Sequence, residues 1–298
     1  MPDIESGLQS GGCSLVVSFV EKSIPVDWAK AWDEQFRKRG LLARLERAGI
    51  SPETFWDTYG RFQASVANDS YPGKALLKIL SLVAAGDCVV DVGAGDGAYS
   101  VPLARHVKSV IAIEPSSSQL NYLQKAVSRS GLNNIQIVPE RWEEVGTSGL
   151  KPCDVVLASY SFQVPDIGEA INKMLTVTGK RLILVYYAGC DLVNLNRRLF
   201  NLQPQPDYRY LYNLLRQLGY EPGLEKVTRN FCVKLDNQLE MLGYNPGLTR
   251  EQTNILKHEL FKMGMVAKER DGYWLKRQQT DAIITVDVKK KDGCKENV

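Results

Sequence analysis

The stretch Val89-Val90-Asp91-Val92-Gly93-Ala94-Gly95-Asp96-Gly97 decides how this chain is read. A short β-branched run breaks into alternating glycines, and a helix-forming segment, Tyr99–His106, follows. Glycines at such a junction let the backbone turn with positive φ and let a ligand approach the main chain with no Cβ in the way. In an open α/β sheet the loop after the first strand lies at the carboxyl edge, where ligands bind. A glycine loop alone is a weak signal, so its neighbours carry the argument. Asp91 is an ionisable residue at the end of a strand expected to be buried, which is costly unless a cationic group pairs with it. About twenty residues on, the run Val110-Ile111-Ala112-Ile113 ends in Glu114, placed to accept hydrogen bonds from two ribose hydroxyls.

Outward from the loop, short apolar runs alternate with amphipathic stretches from Gly86 onward, the pattern of βαβ units and a mostly parallel sheet. Strands are expected at Cys88–Val92, Ser109–Glu114, Ile135–Val138, Asp154–Ser159 and Arg181–Tyr187, with helices at Tyr99–His106, Ser117–Ser130 and Ile167–Leu175 and a short turn near Trp142–Val145. Runs such as Leu182-Ile183-Leu184-Val185 lack polar alternation because both faces of a parallel sheet are covered. Before Gly86 the period is helical: Trp28, Ala31, Trp32 and Phe36 recur at three-and-four spacing. Ser51-Pro52-Glu53 opens a further helix, with Ser51 as N-cap and Glu53 favourable to the dipole. After Gly189 come a proline spacer at Gln203-Pro204-Gln205-Pro206, a helix over Leu211–Leu218, a strand near Lys226–Leu235, a capping box at Thr249/Gln252 and a terminal strand at Ala282–Val288.

Composition narrows the class. The chain has 298 residues, 44% hydrophobic and 24% charged, with a net charge of +3, too mild for a nucleic-acid footprint. Six cysteines without a CxxC pair predict free thiols in a reducing compartment and no metal cluster. Only two histidines occur. His106 reads as a helix C-terminal residue favoured by the dipole, and His258 as part of a surface helix. The apolar run Cys13–Val20 is too short to span a bilayer and has no basic leader, so the expected location is cytoplasmic. Lys289-Lys290-Lys291 reads as a solvated tail.

Two ligand classes compete for the glycine loop. Gly93-x-Gly95-x-x-Ala98 with Glu114 downstream also satisfies the dinucleotide fingerprint. However, Asp91 would repel a pyrophosphate, and Asp96 adds a second negative charge at the helix N-terminus that ought to hold phosphate. The group bound there should be cationic or zwitterionic, and S-adenosylmethionine carries an ammonium and a sulfonium.

Residues 90–97 resemble motif I of the class I S-adenosylmethionine-dependent methyltransferases. Ile113-Glu114-Pro115-Ser116 resembles their second-strand acidic motif, and Cys153–Ser159 their fourth strand. The resemblance spans roughly residues 86–189 and implies an α/β, doubly wound, seven-stranded, mostly parallel sheet with a terminal antiparallel strand, plus N-terminal helices and a helical insertion. On this reading residues 1–25 are disordered, 26–85 form a helical N-terminal cap, and 86–290 form the methyltransferase domain, with insertions at about 190–220 and 236–270. It implies that Asp91 and the Gly93-Ala94-Gly95-Asp96-Gly97 loop hold the methionine part, while Glu114, followed by Pro115, holds the ribose. Relatives carry an acidic adenine ligand after the third strand, where this chain has Arg141. Trp142 is then expected to flank the adenine and Glu143 or a carbonyl to take its amino group, the alternative being that Trp142 is ordinary core.

For the acceptor, methyl transfer is an in-line displacement, so alignment supplies much of the rate. The fourth strand ends Ser159-Tyr160-Ser161-Phe162-Gln163, without the Asn/Asp-Pro-Pro-Tyr-type motif of amino-methyltransferases. Ser159 is expected at the cofactor, and Tyr160 and Tyr187 are the catalytic candidates. For Tyr160 and Ser161 a plain turn is an equal alternative, and for Tyr186 and Tyr187 core packing is the commoner fate. Pro152-Cys153 resembles a cytosine-C5 methyltransferase nucleophile but lies at the wrong end of its strand. Tyr59, Phe62 and Tyr71 come from the N-terminal helices, which in relatives form a lid over the cofactor; the alternative is a plain amphipathic helix packed on the sheet, the preferred reading for Phe62. The expected acceptor is a small molecule, with no metal; an RNA or protein acceptor and a non-catalytic cofactor-binding subunit are the alternatives.

Overall fold

The computed structural model describes residues 26–64, 66–67, 71–150, 153–202, 206–244 and 246–288. The expectations for residues 1–25, for the lysine tail and for most of the proline spacer fall outside that set. Four helices come first: α1 (Trp28–Arg39), α2 (Leu41–Arg47), α3 (Pro52–Ala64) and α4 (Lys74–Leu80). Side-chain caps start two of them, Asp27 Oδ1 accepting from Lys30 N and Ser51 Oγ from Thr54 N. The alternating part follows as β1 (Cys88–Val92), α5 (Ser100–Ala104), β2 (Ser109–Ile113), α6 (Ser117–Ser130), β3 (Ile135–Val138), β4 (Cys153–Ser159), α7 (Ile167–Val177) and β5 (Thr178–Cys190). It continues through α8 (Asp191–Phe200), α9 (Tyr208–Gln217), β6 (Gly223–Lys234), α10 (Leu235–Tyr244), α11 (Arg250–Lys262), β7 (Val266–Glu269) and β8 (Gly272–Asp287). Ser116 caps α6 and Gly131 ends it in the left-handed region, and the Thr249/Gln252 capping box opens α11.

The strands pair in the order β3-β2-β1-β4-β5-β8-β6. Five are parallel, and β8 and β6 pair antiparallel to their neighbours. This is the seven-stranded, mostly parallel path that the motif resemblance implies. One strand is additional: β7 pairs with the start of β8, beyond the end of β5. β8 is therefore much longer than the Ala282–Val288 segment that its apolar period suggested, because its first half, Gly272–Asp281, is mostly polar and carries no strand pattern. The order reverses between β1 and β4, so a crevice opens at their carboxyl ends.

Both sheet faces are covered. Along β5, Leu182, Leu184 and Tyr186 join one core with Trp32 of α1, Met174 of α7 and Leu214 of α9. Ile183 and Val185 join the opposite core with Ile79 of α4 and Leu103 of α5. The N-terminal helices thus separate. α1 and α4 cover opposite faces, and α2 and α3 pack with α10 through Leu41, Leu45, Phe55 and Met241. The helical insertions expected at about 190–220 and 236–270 include α8 and α10, whose individual bounds the sequence period did not give; they bury Leu192, Leu195, Leu235 and Leu242 against β6 and β8.

Candidate cofactor site and acceptor cavity

The loop after β1 turns through three left-handed glycines, Gly93 at φ 70°, Gly95 at 58° and Gly97 at 88°. Its amides are already engaged. Gly93 N and Ala94 N donate to Ile113 O at 2.8 and 2.9 Å, and Gly95 N donates to Glu114 Oε2 at 2.8 Å. Three successive amides turned onto β2 leave little of the N–H nest that a pyrophosphate needs. A Cβ on Gly93 would collide with Ser161 Cβ, so this glycine is required by the close approach of the β4 loop. Gly97 does not line the cavity. A Cβ there would meet Leu123 Cδ1 at 2.7 Å, so its place is in the packing of α6 and it drops out of the ligand wall.

Asp91 is 2% exposed, and among the described residues its side chain accepts one hydrogen bond, from Ser100 Oγ to Oδ2 at 2.6 Å. Burial pushes its carboxyl up to about 7, the Ser100 bond opposes this, and Glu114 and Asp96 raise it further. Burial also raises Glu114, against the amides of Ser116 and Gly95, one on each oxygen. A carboxylate has about four acceptor positions, so each oxygen of Glu114 keeps one for a ligand. Glu53 of α3 does not serve only its own helix. Its Oε2 accepts from Ser116 Oγ and Ser117 Oγ at the start of α6, and Gln119 Nε2 donates to Trp56 O at 3.0 Å. These bonds fasten α3 over the loop.

The glycine loop, α3 and the sheet edge line a half-open cavity of about 1180 Å³. Asp91, Gly93, Ala94, Gly95, Glu114 and Pro115 line one end. Trp142, Glu143 and Ser159 also face it, as do Tyr59, Tyr71, Tyr160 and Tyr187. Trp142 is buried, its Nε1 donating to Ala170 O at 3.1 Å, with Lys173 Nζ 4.8 Å from the ring centroid. It is therefore core on one side and cavity wall on the other. Tyr71 and Ser159 share a hydroxyl hydrogen bond of 2.6 Å. Phe62 packs against Tyr59 and the α8–α11 core.

The tyrosine candidates differ from expectation. Tyr160 sits at φ 57°, and its hydroxyl donates to Asp281 Oδ1 while Gln279 Nε2 donates to the hydroxyl at 2.8 Å. Burial raises the phenols of Tyr160 and Tyr187, and Asp281 raises Tyr160 further, so neither is a base at neutral pH. Tyr186 belongs to the core, against Trp32 and Phe162. Beside Tyr187 the β5–β8 register shifts, placing a bulge at the cavity rim. The sequence reading missed the polar wall opposite the loop: Arg229, Gln238, Arg277 and Gln279. The one sequence signal for part of it was the polar run Gln278-Gln279-Thr280-Asp281 before an apolar strand. Cys153 is buried at the start of β4, away from the cavity, and its thiol is pushed up to about 12 by burial. His106 Nδ1 pairs with Pro102 O on the surface. Among the described residues no three His, Cys, Asp or Glu are grouped to hold a metal, and no helix is long and apolar enough to cross a membrane.

Residues 75–198 match the family model described as rRNA small subunit methyltransferase G, GidB. An uncharacterized Haemophilus influenzae protein is 28% identical over 180 residues, covering 58% of this chain and 66% of that protein. The 23S rRNA (uracil(1939)-C(5))-methyltransferase RlmD of Aliivibrio salmonicida is 32% identical over 135 residues, covering 44% of this chain and 29% of that enzyme. The chain thus spans about two thirds of the first and less than a third of the second. A solved structure from Bacillus halodurans, described as a candidate methyltransferase, has the same fold, with a TM-score of 0.50, 15% identity, and coverage of 72% of this chain and 99% of that one. The glycine-loop motif, the sheet order and the family model over residues 75–198 agree, and the chain has the fold of the class I S-adenosylmethionine-dependent methyltransferases together with their cofactor-loop motif.

Proposed function

We propose that this protein transfers a methyl group from S-adenosylmethionine to a small-molecule acceptor bound in the same cavity. The observation that carries this reading is the size of the cavity and the helices that wall it. At about 1180 Å³ it exceeds the ~300–1,000 Å³ of single-ligand pockets, and helices α2, α3, α8 and α10 contribute to its walls. The donor set suits the cofactor. Asp91 would hold the ammonium, the Gly93–Gly95 backbone would let the methionine part approach, Glu114 would take the ribose hydroxyls, and Trp142 with Glu143 would meet the adenine. When bound, the cofactor supplies an electrophilic methyl group on a sulfonium. The protein's part is to align the acceptor, exclude water beneath the aromatic rings of α3, and orient polar groups with the Tyr160–Asp281–Gln279 network. Because the tyrosine phenols stay protonated, they serve as hydrogen-bond donors in this scheme, and no general base is assigned.

A second reading, methylation of RNA, is favoured by the family match and by the rRNA methyltransferase name of the Aliivibrio relative. Two measurements decide. Calorimetry should give one S-adenosylmethionine site and no dinucleotide binding; absence of S-adenosylmethionine binding defeats the proposal. Labelled methyl transfer should then appear in small-molecule pools from a cell extract and not in its RNA fraction. Label confined to RNA would establish the second reading.

A further inference from the structure

The wall opposite the glycine loop carries two buried guanidiniums that are treated very differently. Arg277 is fully engaged: Nε donates to Asp191 Oδ1 at 2.9 Å, one terminal nitrogen to Gln238 Oε1, and the other to Cys190 Sγ at 2.8 Å. It ties α8 and α10 to β8. Arg229, in the middle of β6, is 8% exposed and ties nothing in this way. Its Nε faces Asp281 Oδ2 at 3.5 Å, too long for a good hydrogen bond. Among the described residues neither terminal nitrogen of Arg229 has a hydrogen-bond acceptor. Only its Nε is a buried donor without a hydrogen bond; the terminal nitrogens are left as donors available to a ligand in the cavity that Arg229 lines.

Its surroundings hold the fork still. The guanidinium carbon lies 4.7 Å from the Phe231 ring centroid and 5.5 Å from that of Tyr71, so aromatic faces bracket the side chain. Asp281 anchors it from behind, and Asp281 Oδ1 is itself occupied by Tyr160 and Gln279. What remains open is the planar edge of the fork, on the cavity that Arg229 lines. That edge matches the geometry of a carboxylate or phosphate. The glycine loop lies on β1, and β6 is four strand spacings away in the sheet, roughly 19 Å at ~4.8 Å each. The fork therefore enters the cavity from the β6 side, across Tyr71 from Ser159 and opposite the acidic loop.

We propose that Arg229 recognises an anionic group on the methyl acceptor, which makes the acceptor a small organic acid or phosphate. The inference rests on the small-acceptor reading above. The acceptor's anion pairs with the Arg229 fork, and the flanking rings of Tyr71 and Phe231 contact its apolar body.

The test uses the full chain saturated with S-adenosylhomocysteine, titrated calorimetrically with matched pairs: benzoate and benzamide, 4-hydroxybenzoate and 4-hydroxybenzamide, phenyl phosphate and phenol. The anionic member of at least one pair should bind about tenfold or more tighter than its neutral partner. Arg229→Met should erase that preference and Arg229→Lys should keep part of it, while S-adenosylhomocysteine affinity stays within about twofold in both. If the Met variant does not fold by melting, the wild-type preference and the Lys variant carry the test. No anion preference in any pair overturns the proposal. So does a parallel loss of S-adenosylhomocysteine affinity, which would make the cofactor's own carboxylate the partner. Failure of the wild type to bind S-adenosylhomocysteine defeats the methyltransferase reading itself, whereas normal binding without anion preference defeats only the role of Arg229.

Discussion

Replacing Asp91 with Asn should move stability and cofactor affinity in opposite directions. Raising a carboxyl from an ordinary 3.8 to about 7 corresponds to roughly 4 kcal/mol of strain on the ionised form at high pH. The sign follows from the protons bound. Between about pH 4 and 7 the folded state keeps the Asp91 proton and the unfolded state has lost it, so this residue makes the free protein progressively less stable as pH rises through that window. Asn removes the charge but keeps an oxygen for Ser100 Oγ, and its amide adds a donor that costs about 1–3 kcal/mol if left unsatisfied. The net expectation at pH 8 is a gain of about 1–3 kcal/mol in the ligand-free protein, at ~2–4 °C of melting temperature per kcal/mol. The gain should shrink as pH falls toward 5. Cofactor affinity should fall, by on the order of 100-fold, because a buried charge partner is gone. In the wild type, affinity for S-adenosylhomocysteine should also drop about tenfold per pH unit below about 7, as Asp91 protonates, and in the variant this slope should vanish. Thermal melts and calorimetry from pH 5.5 to 8.5 measure both quantities. A variant that melts lower at pH 8, or that retains the pH slope, would refute the assignment of a strained, cation-binding carboxylate.

Two further substitutions probe the same wall. Trp142→Ala should weaken S-adenosylhomocysteine binding by about 1–3 kcal/mol if the indole stacks on adenine, and should lower stability by about 3–5 kcal/mol because Nε1 and the buried ring also hold α7; unchanged affinity at a temperature where the variant is folded counts against the adenine role. Gly93→Ala and Gly97→Ala should separate site from scaffold. Both positions have positive φ, but the first Cβ strikes Ser161 in the cavity wall and should cut cofactor affinity, whereas the second strikes Leu123 and should lower the melting temperature with little change in affinity once folded.

The strand–glycine–helix junction was legible because every signal in it is local. The β-branched run, Asp91 and the glycines that need positive φ lie within a few residues of one another, Glu114 follows one βαβ step later, and hydrophobic runs without alternation announced a sheet covered on both faces. The bounds of α8 and α10 within the expected helical insertions, and the polar Gly272–Asp281 part of β8, were not legible, since polar residues there, such as Asp191, Gln238 and Arg277, satisfy one another only across elements. Likewise Glu53 looked like a dipole partner for its own helix and instead holds the start of α6 through a bond spanning 63 residues.

By itself the sequence determined the donor end of this protein: a strand running into a glycine loop at Gly93, with acidic residues at Asp91 and Glu114 beside it. Only the tertiary structure decided what faces that end. The hydrogen bond of Tyr160 to Asp281 joins residues 121 positions apart, and Arg229 reaches the cavity only because β8 runs antiparallel between β5 and β6. Such a site has no spacing signature, because strand pairing and not chain proximity brings its residues together.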